Sequence, residues 1–321
     1  MKRILLLIVV LCGLAGYYVM TPLTLVQAPI SFTLKPGSSL KSAAHQMSEA
    51  GVLQLELPFT LLARALGKAQ QLKAGSYELT RPVTPLRLLE MLSNGEVSMA
   101  QLSVIEGWSF RQLRTALNAS PDVVHDSVNL SEAEILRRIG ASETQAEGLF
   151  FPDTYLFSKG ESDLAVLKQA YQAMQRNLSE QWETREQGLP FDMPYQALTL
   201  ASIVEKETGA PSDRAMIASV FENRLRIGMM LQTDPTVIYG LGERFDGNLR
   251  RKDLLADTPY NTYTRGGLTP TPISLPGVAA LQAVLHPAKS QALYFVARGD
   301  GTSEFSETLE QHNRAVSRYQ K

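Results

Sequence analysis

Residues 200–208 read Leu200-Ala201-Ser202-Ile203-Val204-Glu205-Lys206-Glu207-Thr208 and run into Gly209-Ala210-Pro211, the pattern of a helix reaching its C-terminus. On a 3.6-residue period Leu200, Ile203, Val204 and Glu207 fall at i, i+3, i+4 and i+7, so Glu207 continues an apolar stripe. Glu205 falls off the stripe, beside Ser202 and Lys206. A carboxyl group on an apolar face is costly to ionise, and the negative end of the helix dipole raises its pKa further. A glutamic acid that keeps its proton towards neutrality is what a general acid requires. A glutamate at a helix end is also commonly just solvated, so the helix alone leaves both readings open and the rest of the chain must decide.

The chain has 321 residues, 44% of them hydrophobic, enough to bury a substantial core and to divide into two or three units. Its 31 basic and 32 acidic residues leave a formal charge of -1. No long basic run offers a footprint for nucleic acid, which argues against such a partner. Met1-Lys2-Arg3 is followed by an uncharged apolar run from Ile4 to Met20, near the lower length limit for a bilayer-spanning helix. Basic residues before the run and none just after it place the N-terminus in the cytoplasm and the rest on the other side, with Tyr17 and Tyr18 at the far interface. A cleaved signal peptide is the rival reading, since Val26-Gln27-Ala28 has small residues at the right offsets, but Pro29 follows directly. The expectation is an uncleaved single-pass anchor over residues 1–21. Cys12, the only cysteine, permits no intramolecular disulfide and reads as a membrane-buried hydrophobe.

Beyond the anchor, Ile30 to Leu34 alternates as a strand, Lys35-Pro36-Gly37 turns, and Ser38 or Ser39 caps a helix ending near Gly51. A helix from about Leu57 to Leu66, a strand over Gly75–Leu79 and a helix opened by Thr84-Pro85 complete a βααβα order. From Gln101 the pattern recurs loosely, with a strand over Leu102–Ile105 and Ser109 capping a helix from Phe110. Glu147 to Tyr155 reads as a structural corner, with aromatics packed around a Pro-Asp turn. Ser162 caps a long helix in which Leu164, Leu167, Tyr171, Met174 and Leu178 step by three and four. The prolines Pro190 and Pro194 mark a boundary before the helix that carries Glu205 and Glu207. After it come a helix with Ile217, Val220, Phe221 and Leu225 on its apolar face, a helical turn through Tyr239, and a Thr/Gly/Pro-rich loop over 258–276. A hairpin around Arg298-Gly299-Asp300-Gly301 and a short terminal helix from Thr308 close the chain.

Other chemistries lack their signs. His45, His125, His286 and His312 have no metal-ligand spacing. There is no G-x-S-x-G elbow, no usable cysteine and no glycine-rich phosphate loop, so neither a metal nor a cofactor is expected. What remains is acid-base chemistry by a carboxyl group in a region rich in Tyr, Asn, Gln and Thr, groups that hydrogen-bond sugars. Cleavage of a glycosidic bond fits. Ordinary glycosidases need a second carboxylate, and Asp234 is the nearby candidate.

Three segments then carry a resemblance. Ile203-Val204-Glu205-Lys206-Glu207-Thr208, the run from Gly228 through Leu231-Gln232-Thr233-Asp234-Pro235 to Gly240, and Tyr260-Asn261-Thr262-Tyr263 resemble the YceG-like (MltG) family of endolytic murein lytic transglycosylases over nearly the whole chain. Residues 32–40 also resemble the opening of LysM modules, βααβ units that bind N-acetylglucosamine-containing glycans. The order of motifs parallels the lysozyme-like transglycosylases, with Glu207-Thr208, Leu231-Gln232 and Tyr260-Asn261 in the places of their Glu-Ser, Met-Gln and Tyr-Asn segments. The spacing differs, and Thr208 stands where those enzymes have serine.

The resemblance implies an α+β protein: anchor 1–21, a LysM-like module 22–98, a connecting α/β region 99–190 with the long helix, and a mainly helical lysozyme-like catalytic domain with a small hairpin over 191–321. It implies Glu207 as catalytic acid, Glu205 being the second choice, and Thr208, Gln232, Asp234, Tyr260, Asn261 and Tyr263 as substrate-binding residues. The implied substrate is peptidoglycan, cut between N-acetylmuramic acid and N-acetylglucosamine to leave a 1,6-anhydro end, which would terminate growing strands. The nucleophile would be the sugar's own C6 hydroxyl, so that no second carboxylate is needed. The implied setting is the inner membrane with the bulk of the chain in the periplasm, near peptidoglycan synthases. A lysozyme-like hydrolase using Asp234 and a non-catalytic peptidoglycan-binding scaffold are the competing readings.

Overall fold

In the computed structural model, which describes residues 2–320, the uncharged N-terminal run forms helix α1 (Lys2–Met20), long and apolar enough to cross a membrane. The alternating segment forms strand β1 (Ile30–Leu34), whose Ile30, Phe32 and Leu34 point inwards. Ser39 accepts the Ser42 N–H and so starts α2 (Leu40–Glu49). Helix α3 (Glu56–Ala65), strand β2 (Gly75–Leu79) and α4 (Pro85–Asn94) follow in the expected order. Thr84 caps α4, Pro85 occupies its first turn, and Gly95 ends it in the left-handed region. Strands β1 and β2 pair antiparallel with Phe32 opposite Tyr77, and the two rings stack at 5.4 Å. Met47, Phe59, Leu88, Leu89 and Leu92 close the core over them.

Strand β3 (Met99–Ser103) starts three residues before the expected Leu102 and ends two before the expected Ile105, where the Val104 N–H donates to the Asp153 carbonyl ahead of the Glu106-Gly107 turn. Then come α5 (Phe110–Ala119), β4 (Val123–Val124), α6 (Glu132–Ile139), β5 (Thr154–Ser158), β6 (Glu161–Ser162) and α7 (Asp163–Glu183). Capping boxes start α5 at Ser109 and α6 at Ser131. The last stretch holds α8 (Pro194–Glu207), α9 (Arg214–Arg226), α10 (Asp234–Leu241), α11 (Arg251–Leu255), α12 (Val278–Leu285), the hairpin of β7 (Tyr294–Ala297) and β8 (Ser303–Ser306), and α13 (Leu309–Tyr319).

The chain forms two units. One contains the segments up to Gln101 with Pro121–Val124 and Leu156–Ser162, among them the parallel β4–β6 pair. The other contains Leu102–Ser120, His125–Tyr155 and everything from Asp163 on. Residues 99–190 contribute to both units. Most of them fold with the C-terminal segment, because α7 lends its apolar face to α8 and α12.

Helix α8 is the centre of the second unit, packed against α7, α9, α10 and α12. Ala197 to Val204 are all buried, so α8 has no single apolar stripe and the expected contrast between a stripe bearing Glu207 and a polar side bearing Glu205 does not hold. A helix enclosed on all sides buries whatever its sequence places on each of them. Helix α12 was not read from the sequence for the same reason: Val278-Ala279-Ala280-Leu281-Gln282-Ala283-Val284-Leu285 is apolar almost throughout and shows no amphipathic period. His286 caps it through its N–H to the Gln282 carbonyl.

Candidate functional site

The two carboxylates at the end of α8 meet different surroundings. Glu205 is held on the loop that precedes α12. Its Oε2 accepts the Gly277 N–H at 3.0 Å, its Oε1 lies 3.8 Å from Nη2 of Arg214, and its side chain is only 7% exposed. One turn earlier Ser202 ties the same loop, accepting the Ile273 N–H at 2.9 Å while its carbonyl accepts the Ser274 hydroxyl at 3.0 Å. Burial pushes the Glu205 carboxyl up, the Gly277 N–H opposes this, Glu106 adds to it, and Arg214 and Lys206 oppose it.

Glu207 is the last helical residue and is half-buried. The helix ends there because Thr208 turns its N–H and its hydroxyl back onto the Val204 carbonyl, at 3.1 and 2.7 Å. The Glu207 carboxylate accepts a hydrogen bond from the Thr233 hydroxyl. Burial raises its pKa, the Thr233 hydrogen bond lowers it, neighbouring Asp234 raises it, and the Arg224 charge lowers it, leaving it above the ordinary carboxylate range.

Thr233 reaches Glu207 through an unusual backbone. Gln232, exposed, has φ 47°, the only positive φ among the described non-glycine residues, a conformation that persists only when its surroundings enforce it. Here they do. The Gln232 N–H donates to the Thr262 carbonyl at 3.1 Å, the Thr233 N–H donates to the Thr262 hydroxyl oxygen at 3.1 Å, and the Thr236 hydroxyl donates to the Thr233 carbonyl at 2.7 Å. Asp234 then opens α10, exposed, and accepts the Tyr263 hydroxyl at 2.6 Å. Burial and that carboxylate push the Tyr263 phenol up.

Arg224 supports this turn from beneath. Almost buried, it donates through Nε to the Leu293 carbonyl and through Nη1 to the Leu231 carbonyl, both at 2.7 Å, and its guanidinium lies 5.4 Å from the Tyr294 ring. Its charge is felt by both Glu207 and Tyr263.

Of the residues expected to bind substrate, Asp234 and Tyr263 interact electrostatically with Glu207 and Gln232 precedes the threonine that bonds it, whereas the Thr208 hydroxyl is spent on the helix end. Asn261 is engaged inside the protein: its Nδ2 faces the carbonyls of Asp253, Leu254 and Ala256 at 2.7–3.2 Å, its Oδ1 accepts the Tyr263 N–H at 2.9 Å, and it is 1% exposed. Its side chain shapes the loop that presents Tyr263, both ends bonded to the protein's own backbone. Tyr260 bonds the Thr271 hydroxyl at 2.9 Å and sets its ring edgewise against Tyr239 at 4.9 Å. Both tyrosines line an 830 Å³ cavity whose wall begins at Lys206 and Pro235, the residues next to Glu207 and Asp234.

The sequence reading missed Thr233 and Arg224. Thr233 stands inside the quoted motif between two residues that were singled out, and nothing in its type marked it. Arg224 had a signal: it falls three and four residues after Phe221 and Val220, in the apolar stripe of its helix, where an arginine must be paired.

The sequence model of the YceG-like family matches residues 32–318. The chain is similar to the endolytic murein transglycosylase of Bacillus subtilis, 31% identical over 320 residues that cover 90% of this chain and 84% of that protein. It is also similar to the endolytic murein transglycosylase of Streptococcus pneumoniae, 28% identical over 346 residues, 96% of this chain but 62% of that longer protein. A crystal structure of a YceG-like protein from Listeria monocytogenes superposes with a TM-score of 0.56 and 30% identity, covering 89% of this chain and 98% of the other.

Proposed function

The chain belongs to the YceG-like family, and from that premise we propose that it is a membrane-anchored endolytic murein transglycosylase. It cleaves the bond between N-acetylmuramic acid and N-acetylglucosamine inside peptidoglycan strands and leaves a 1,6-anhydro end. The observation that carries this reading is Glu207, a half-buried acid with its pKa raised, a hydroxyl donor on its carboxylate and a cation nearby.

Glu207 starts protonated and gives its proton to the glycosidic oxygen as the bond from the muramic anomeric carbon to that oxygen breaks. The resulting carboxylate takes the proton of the muramic C6 hydroxyl as O6 bonds to the anomeric carbon. The proton count closes, Glu207 returns to its acid form, and no water is consumed. Thr233 and Arg224 stabilise the carboxylate between the two transfers, and the loop clasped by Asn261 holds Tyr263 and Asp234 beside it.

Helix α1 serves as the anchor in the inner membrane, with Lys2 and Arg3 on the cytoplasmic side and the two folded units in the periplasm. The β1-α2-α3-β2 order supports a LysM-like role for residues 30–97 in holding glycan strands. An enzyme so placed cuts strands close to where peptidoglycan synthases extend them, and so terminates their growth.

A second reading, a lysozyme-like hydrolase, is favoured by one observation, the carboxylate of Asp234 close to Glu207. Mass spectrometry of the ends released from purified murein sacculi separates the two, because the anhydro end is lighter by one water. Reducing ends with that water retained would replace the transglycosylase by the hydrolase. No released ends would leave a binding scaffold.

A further inference from the structure

The cavity beside the acid contains a buried carboxyl group that the proposed chemistry does not use. Glu147, 7% exposed, stands in its wall. It accepts the Phe110 N–H at 2.9 Å, from the first residue of α5, the hydroxyl of Tyr239 on α10 and the Gly148 N–H, which leaves part of its four-site acceptor capacity open. Gly148 fixes its position: its φ is 81°, and an added Cβ would collide with Pro272. Burial pushes the Glu147 carboxyl up to about 7, so that near neutrality it can donate as well as accept a hydrogen bond.

The rest of the wall suits a neutral, polyhydroxylated ligand with an apolar face. Tyr239 and Tyr260 provide ring surface, while the exposed Gln145 provides an amide and the exposed Gln112, its Oε1 engaged by Ser109, an amide N–H. The volume of 830 Å³ lies within the ~300–1,000 Å³ of ordinary ligand pockets. Arg111 and Glu243 pair at 3.0 Å, and besides Glu147 the other charged residues lining the cavity, Glu132 and Lys206, are one of each sign.

We propose that this cavity is a glycan subsite, which takes an N-acetylhexosamine unit of the strand away from the bond being cut, stacks it on Tyr239 and Tyr260, and anchors one of its hydroxyl or amide groups on Glu147. This rests on the reading of the protein as a murein transglycosylase. Glu147 is then a binding residue, and its loss acts on KM more than on kcat.

The test uses the full chain in detergent with Glu207→Gln to stop turnover, and a β-1,4-linked tetramer of N-acetylglucosamine as probe. Hydrogen exchange read by mass spectrometry should show protection over residues 107–112 and 238–245 at millimolar tetramer, lost in the added substitution Gln145→Trp, which fills the cavity from an exposed position. In the otherwise unaltered enzyme Gln145→Trp should raise KM on murein about tenfold with kcat kept, the size expected for losing a contact or two. Glu147→Gln should do the same if it melts as the parent does. Absence of protection over those residues, or protection and KM unchanged in Gln145→Trp, overturns the subsite. The outcome is independent of the reaction assignment: anhydro ends without protection here leave the transglycosylase standing and remove the subsite, and protection without anhydro ends does the reverse.

Discussion

The Thr233 hydroxyl donates to the carboxylate of Glu207, and it can do so because Gln232, the residue before it, is held in a left-handed conformation with φ 47°. The two residues come from segments 26 positions apart in sequence. Burial and Asp234 favour the protonated acid, while Thr233 and Arg224 favour the carboxylate. A group that must first donate and then accept a proton needs both influences in near balance.

Thr233→Val removes that donor and keeps the shape. The hydrogen bond lowers the Glu207 pKa, so its loss raises the pKa further above the ordinary range. A general acid works only while protonated, so activity falls as pH rises through this pKa. In the variant that fall should come at higher pH, while the maximum rate drops about tenfold or more from the loss of a bond to a charged group. A pH–rate profile on murein checks it. An unmoved basic limb would show that Glu207 is not the group titrating.

Arg224→Met should destabilise the fold by about 2–4 kcal/mol, because the carbonyls of Leu231 and Leu293 lose their buried donors. Arg224→Lys should recover only part of this, since an ammonium cannot reproduce a fork that serves two carbonyls. Urea unfolding of both variants gives the comparison. Equal stability of lysine and arginine would mean that only the charge matters.

Glu222, on α9, is fully buried, and its Oε1 lacks a hydrogen-bond partner among the described residues, although Oε2 lies 3.0 Å from Nη2 of Arg226. Burial, opposed by Arg226 and aided by Glu186, pushes its pKa up to about 8. The folded protein therefore binds a proton that the unfolded chain releases above its ordinary value of 4.5. Stability is fullest below that value and declines as pH rises towards 8, by an amount on the order of a few kcal/mol. Glu222→Gln should flatten the decline and raise the melting temperature at pH 8. A variant less stable than the parent at pH 8 would show that the ion pair with Arg226 outweighs the burial.

Local structure was legible wherever it rested on local chemistry. Ser109 and, of the two serines offered, Ser39 cap their helices, Thr84 and Thr308 cap the helices they open, Ile30–Leu34 and Gly75–Leu79 are strands with the expected bounds, and the three quoted motifs resemble the family whose model matches. What failed depended on enclosure. Helix α12 and the burial of α8 on every side carry no periodic signal, and so the stripe argument that separated Glu207 from Glu205 could not be sound as stated. The separation now rests on partners, a hydroxyl donor and the charge of Arg224 for Glu207, and a loop N–H and an arginine for Glu205. Asn261 shows a similar limit: sequence shows that an amide is present, but not that its Nδ2 and Oδ1 are already engaged within the fold.

The most direct measurement compares turnover of murein sacculi by Glu207→Gln and Glu205→Gln, each first shown to melt as the parent does. Glutamine at 207 can still accept the Thr233 hydroxyl but has no proton to transfer. That variant should lose ~10²-fold to 10⁴-fold in rate while still binding sacculi. Glutamine at 205 can still accept the Gly277 N–H and loses only its pairing with Arg214, so it should keep most of the activity. An active Glu207→Gln protein beside a folded but inactive Glu205→Gln protein would contradict the account at its centre.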